Sequence, residues 1–177
     1  NGIRSYQAFD RDVEHFNSVE KQIDKLYVAC GNEQLDEARS KHFFILVESL
    51  SVKIGGNNNN DALRALLLQR SVAYSTLQNF DAAIADATTL LSIDSTSAMA
   101  YWHRAVCQIA MSGFKASNGV DVKLQEAGAL SDLNKAIALK PQNAYLYYCR
   151  ANLYAHQGNN EKAVADYTSA IKLDNRF

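Results

Sequence analysis

KAVADYTSAIKLD, residues Lys162–Asp174, decides the fold, because the chain says it three times. The same pattern stands earlier as AAIADATTLLSID (Ala82–Asp94) and GALSDLNKAIALK (Gly128–Lys140). Each copy follows another helical stretch: LLLQRSVAY (Leu66–Tyr74), AYWHRAVCQ (Ala100–Gln108) and LYYCRANLY (Leu146–Tyr154). A helix pair that recurs in this way cannot bury its apolar face alone, and stacks on its neighbours to make one continuous core. The expected architecture is therefore an all-α solenoid of stacked antiparallel helix pairs. It offers a surface rather than announcing a reaction.

Ala83, Ala129 and Ala163 anchor the spacing. The first unit runs over 64–97 and the third over 144–177, 34 residues each, while the second, 98–143, has 46 and so holds a 12-residue insertion. Small residues mark where the paired helices approach closely: Ser71, Ala105 and Ala151 in the first helices, and the three anchors in the second. Tyr74 and Tyr154 share one slot late in the first helix. Gly158 closes the turn between helices, where a positive φ is easily reached, and Phe80 follows the corresponding turn. Pro141 stands just past a second helix, which it cannot extend.

A 34-residue helix pair with these residues resembles the tetratricopeptide repeat (TPR) family. The resemblance covers residues 64–177, about two thirds of the chain. Departures are Gln108 in the tyrosine slot, and Ser95 and Asn175 in place of the proline. The resemblance implies a right-handed superhelix. The style of the repeats is similar to bacterial arrays, which leaves periplasm or cell envelope and cytoplasm both open.

One pattern recurs without exception. Arg70, Arg104 and Arg150 share one place in the first helices, and Asp86, Asp132 and Asp166 share one place in the second. Because an acid accompanies every arginine, three structural ion pairs are expected, rather than a cluster of arginines for an anionic ligand.

Upstream, Phe9, Val13, Phe16, Val19, Ile23, Leu26 and Cys30 recur every three or four residues, one face of a helix over about Tyr6–Ala29. Leu35, Ala38, Phe43, Leu46 and Leu50 mark a second helix to about Ile54. Residues 1–54 thus read as an N-terminal helical hairpin, a cap or degenerate repeat. GGNNNN (Gly55–Asn60) is a connector, and Asn60 or Asp61 is expected to cap the next helix. In the second unit the extra residues lie in Ser112–Leu124; Gly113 and Gly119 suggest a loop, while Phe114–Ser117 can extend the helix by a turn.

Composition bounds the partner. Hydrophobic residues make up 47 %, and the net charge is −1. Residues 1–60 hold seven Lys/Arg against nine Asp/Glu, and the remainder eleven against ten, so no basic arm supports a nucleic-acid partner. No apolar run approaches a membrane span. Cys30, Cys107 and Cys149 lack metal spacing and read as buried thiols. The chain starts at Asn1, which suggests a fragment or processed form.

In TPR arrays the first helices line a concave groove that receives peptides. Carried over by position, the groove would present Leu68 and Val72 in the first repeat, Trp102 and His103 in the second, and Tyr145, Tyr148 and Asn152 in the third. Rigid aromatics with a polar tip are typical interface anchors, and Asn152 offers both a donor and an acceptor to a peptide backbone. A groove site requires Trp102 to be solvent-accessible. The lysine, asparagine and arginine with which some TPR proteins clamp a carboxylate tail have no counterpart here.

No phosphate loop, HExxH or GxSxG occurs, and the four histidines form no i, i+4 pair. An approach of His103 to His156 across adjacent first helices would be the nearest thing to a metal site. No catalytic residue, metal or cofactor is expected. The function expected is non-catalytic binding of a protein or peptide. The alternatives are a spacer or assembly module that self-associates through an uncapped third repeat, and the targeting domain of a larger enzyme.

Overall fold

A computed structural model describes residues 32–56, 59–117 and 122–176. Seven helices account for almost all of them: α1 Asn32–Gly55, α2 Asn60–Thr76, α3 Phe80–Ile93, α4 Ala98–Ser117, α5 Lys123–Leu139, α6 Ala144–His156 and α7 Asn160–Leu173. The helix expected over Tyr6–Ala29 lies outside the described residues. Two compact units divide the chain between Asp86 and Ala87, within α3. The first holds α1, α2 and the start of α3; the second holds the rest of α3 and α4 to α7.

Asparagine or serine caps α2, α3, α4, α6 and α7, because these side chains satisfy backbone N–H groups that have no partner inside the helix, whereas Val122 before α5 makes no such bond. Asn59 Oδ1 accepts from the N–H groups of Asp61 and Ala62 at 2.9 and 3.3 Å, so Asn59, not Asn60 or Asp61, caps α2. Ser97 caps α4 through Ala100 N–H, and Asn143 caps α6 through Tyr145 N–H. Asn79 and Asn159 do the same for α3 and α7.

The turns that join α2 to α3 and α6 to α7 are copies. Asn79 N–H donates to Tyr74 C=O at 2.9 Å, and Asn159 N–H to Tyr154 C=O at 2.8 Å. Closing such a turn needs one residue in the left-handed region. Gly158 supplies it at φ 74°, as the sequence predicts. In the first repeat the same place is held by Gln78 at φ 59°, a residue with no such preference.

Within each pair the helices meet through small side chains. Ala83, Ala105, Ala129 and Ala151 are fully buried, and Ala163 nearly so. Ser71 adds a hydrogen bond, its hydroxyl donating to Ala83 C=O at 2.7 Å. In the second repeat Gly128 lies where a side chain would press on the Gln108 amide at 3.1 Å. Gln108 therefore fills, over a glycine, the slot that tyrosine fills elsewhere. The insertion is resolved in favour of helix at its start: α4 continues to Ser117, and α5 begins at Lys123, ahead of the register of α3 and α7.

The three arginine–aspartate pairs form within their repeats, and each is bidentate. Arg70 to Asp86 spans 2.7 and 2.6 Å, Arg104 to Asp132 2.7 and 2.7 Å, Arg150 to Asp166 2.7 and 2.8 Å. The aspartate side chains retain only 8, 6 and 9 % of their exposure. The carboxylate bonds hold all three guanidinium groups above their ordinary pKa, against the opposing effect of burial. Each guanidinium also lies about 5.8 Å from a tyrosine ring: Tyr74, Tyr101 and Tyr147 respectively.

The remaining guanidinium nitrogen links each pair to the helix before it. Arg104 Nη1 donates to Thr88 of α3, and Arg150 Nη1 to Asn134 of α5. Both acceptors stand two residues after the aspartate of the preceding second helix. Arg70 Nη1 donates in the same way to Ser51 of α1 at 3.0 Å. Towards α2, α1 therefore does what the second helix of a repeat does, with Phe43 and Leu50 buried.

Candidate protein-interaction surface

The residues expected to line a groove divide between the two units. In the first, Leu68 is buried and Val72 half-buried on α2. In the second, α4 and α6 bring Trp102, Tyr145 and Tyr148 into a ladder. The Trp102 and Tyr145 rings meet edge-on with centroids 5.9 Å apart, and Tyr145 and Tyr148 lie 6.0 Å apart. The ladder continues onto α7: Tyr148 and Tyr167 are 6.0 Å apart, and Tyr167 Oη donates to Asn152 Oδ1 at 2.7 Å.

Three expectations are corrected here. Trp102 is not accessible; it is 2 % exposed. Its indole is covered by the edge-on ring of Tyr145. His103 is equally buried, its ring 6.3 Å from that of Trp102 and its Nε2 3.6 Å from Cys107 Sγ. Nor does His156 face a histidine. Its Nδ1 lies 3.3 Å from Glu126 Oε1 of α5, and Gln157 donates to the other oxygen of that carboxylate at 3.0 Å. Among the described residues no group of three or more His, Cys, Asp or Glu is placed to hold a metal ion.

The surface that remains is small and specific. Tyr148 is 36 % exposed, Asn152 is exposed, and Tyr145 and Tyr167 are half-exposed. Because Oδ1 of Asn152 is engaged by Tyr167, its amide N–H groups are what it presents. The sequence does not single out Tyr167, because it lies on a second helix, where positional transfer places no groove residue. Its only signal was a large aromatic one place after the paired Asp166.

Burial sets the chemistry of the thiols. Cys107 and Cys149 are free, and burial pushes their pKa up to about 12 and about 11, with the neighbouring Trp102 and Tyr145 opposing the rise at Cys149. Such thiols are protonated at neutral pH and are not nucleophiles. Among the described residues, no helix is long and apolar enough to cross a membrane.

Comparison with known proteins places this geometry. Family models described as tetratricopeptide repeat match residues 65–97 and 144–177. No curated protein matches the sequence. Several solved structures share the fold. The chain is similar to a crystal structure of MamA, with a TM-score of 0.66 and 20 % identity, over 84 % of this chain and 78 % of that one. It is similar to a thermophilic TPR protein of Thermus thermophilus, with a TM-score of 0.59 and 18 % identity, over 79 % of this chain and 75 % of that one. It also resembles the first TPR domain of Spaghetti (RPAP3) bound to the HSP90 peptide SRMEEVD, with a TM-score of 0.55 and 21 % identity, over 64 % of this chain and 81 % of that one. The middle unit, which no family model matches, carries the same arginine–aspartate pair in the same register as its neighbours. Residues 65–97 and 144–177 are tetratricopeptide repeats, and the fold of the described residues is an all-α helical-repeat solenoid.

Proposed function

We propose that this chain is a non-catalytic interaction module that holds an extended, uncharged segment of a partner protein against Tyr145, Tyr148, Asn152 and Tyr167. TPR repeats are typically scaffolds, and one structural relative is a complex with a peptide. The observation that carries the reading is the ladder itself: aromatic faces within 6.0 Å of one another, ending on the side chain of Asn152. Phenols packed ring against ring are rigid and amphipathic, so they bind at little conformational cost. Trp102 serves this surface from behind by fixing Tyr145, His103 is buried beside Trp102, and Leu68 and Val72 lie in the other unit and are not assigned to this surface.

The chemistry favours a neutral ligand. The peptide in the structural relative is acidic at its end, as its sequence SRMEEVD states. Here all three repeated arginines turn away into aspartate pairs. An acidic tail would find phenols and an amide instead of cations.

The test is selection of binding peptides from a random displayed library, followed by calorimetry on wild type and on Tyr148→Ala/Asn152→Ala. Selected peptides should be apolar or aromatic and should lose at least about tenfold in affinity for the double variant. Peptides that are uniformly acidic, or that bind both proteins equally, would sink the reading.

A second reading, an assembly module, is favoured by a separate observation. Val164 and Ile171 of α7 are 62 and 51 % exposed, although both are large and apolar. Self-association through the third repeat would cover them.

A further inference from the structure

The exposed face of α7 has a counterpart on α5 that shows what such a face is for. On α5, Asn134 receives Arg150 from the following helix at 2.6 Å. The apolar residues a turn to either side of it, Leu130 and Ile137, are half-buried and buried. That strip of α5 is a stacking face. The corresponding residues of α7, 34 positions on, are Val164, Thr168 and Ile171. All three are exposed, and the Thr168 hydroxyl donates back to its own helix, at Val164 C=O. Positions i, i+4 and i+7 form one stripe along a helix, and Ala165 beside it is small enough for close approach.

Charge chooses the occupant. Glu161 stands at the start of α7, one turn before Val164, and Lys172 stands at its end beside Ile171; both are exposed. Asp166 is buried against Arg150, and Lys162 leans over the ring of Tyr154, so neither belongs to the stripe. A helix face with an acid at one end and a base at the other complements itself only when a second copy runs antiparallel. In that arrangement Glu161 meets Lys172 of the second copy, the same pair recurs by symmetry, and Val164 meets Ile171 across the seam. A parallel arrangement sets acid on acid and base on base.

We infer that the partner of this face is a second copy of the chain, with α7 packed antiparallel on α7 about a two-fold axis near Thr168. The inference rests on the assembly reading above and names its partner and register. A closed two-fold contact uses one patch twice and ends at the dimer. A single pair of helices of this length falls at the small end of specific interfaces, so the dimer forms reversibly with concentration.

Sedimentation equilibrium from about 10 µM to about 1 mM tests it on the whole chain, a span that brackets weak association. Wild type should dimerise. Glu161→Lys and Lys172→Glu should each weaken the dimer by about tenfold, since each places like charges opposite each other twice. The double reversal Glu161→Lys/Lys172→Glu should restore it, and Ile171→Glu should abolish it. Circular dichroism on every variant separates lost contact from lost fold. A wild type that stays monomeric throughout overturns this inference together with the assembly reading. A dimer indifferent to Ile171→Glu and to the charge reversals overturns the α7 pairing but leaves assembly through another face standing. Single reversals that weaken the dimer without mutual rescue overturn the antiparallel register.

Discussion

The first helices of the three repeats have two faces with opposite histories. The inward face is the same each time: Arg70, Arg104 and Arg150 on their aspartates, with Ser71, Ala105 and Ala151 beside them. The positions expected to face a groove never repeat. They hold Leu68 and Val72, then Trp102 and His103, then Tyr145, Tyr148 and Asn152. What a repeat must do for itself is written three times. What we propose the chain does for a partner is written once, in the third repeat.

If that division holds, the largest losses come from the inward face. Arg104→Met leaves the Asp132 carboxylate buried without its counter-charge, which should cost about 3–5 kcal/mol in urea unfolding. Removing both charges as Arg104→Met/Asp132→Leu should return stability to within about 1 kcal/mol of wild type, because the pair's attraction is largely offset by its desolvation. The pair then specifies which helices meet more than it holds them together. A loss below about 1 kcal/mol for the single variant would show that water reaches the pair and that the inward face is inward in name only.

Trp102 and Tyr148 divide the groove side in the same manner. Trp102→Ala opens a cavity behind Tyr145 and should cost about 3–5 kcal/mol. Tyr148→Ala removes a ring with 36 % exposure and should cost markedly less, at about 1 kcal/mol, while removing ligand binding. Equal stability costs at the two sites would erase the distinction between support and contact.

The buried thiols sharpen it further. Cys107 and Cys149 have pKa values raised to about 12 and about 11, so at pH 8 alkylation of the native chain should run at least about a hundredfold slower than in urea, resolved by peptide mass spectrometry. The sign for stability follows. A thiol whose folded pKa lies above its unfolded value costs nothing below the ordinary cysteine range, near pH 9. As pH rises beyond that, the unfolded thiolates ionise first, and stability falls until the folded values are passed. Rapid native labelling of Cys149 would mean that the space behind Tyr145 is open to solvent.

The repeat was legible because it is a periodicity, and periodicities survive in sequence: spacing, small residues, the arginine–aspartate register and Gly158 were all readable. The site was legible only by position. Transfer from the family marks which residues point toward a groove, but not how deeply neighbours cover them. Trp102 and His103 were therefore marked with Tyr148, although Tyr145 and Cys149 seal the first and Cys107 flanks the second. Tyr167 was missed because its contact with Asn152 joins two helices fifteen residues apart. Ser51 was missed because its role, accepting from Arg70, is visible only once α1 is seen packed as a second helix.

The smallest effects lie in the turns, where the first and third repeats reach the same backbone with different residues. Gly158 at φ 74° and Gln78 at φ 59° close the same hydrogen-bonded turn. A side chain in that region costs about 1 kcal/mol or more, and glycine escapes the cost at the expense of greater freedom in the unfolded chain. Gly158→Ala should therefore destabilise by about 1 kcal/mol, with no neighbour within 4 Å of the added carbon to blame. Gln78→Gly should stabilise by a little less, about 0.5 kcal/mol, because relief of strain is partly offset by that freedom. Opposite signs at equivalent positions would trace both effects to backbone conformation alone. If both variants destabilise, Gln78 is retained for a contact of its own, and the two turns are alike in path but not in what holds them.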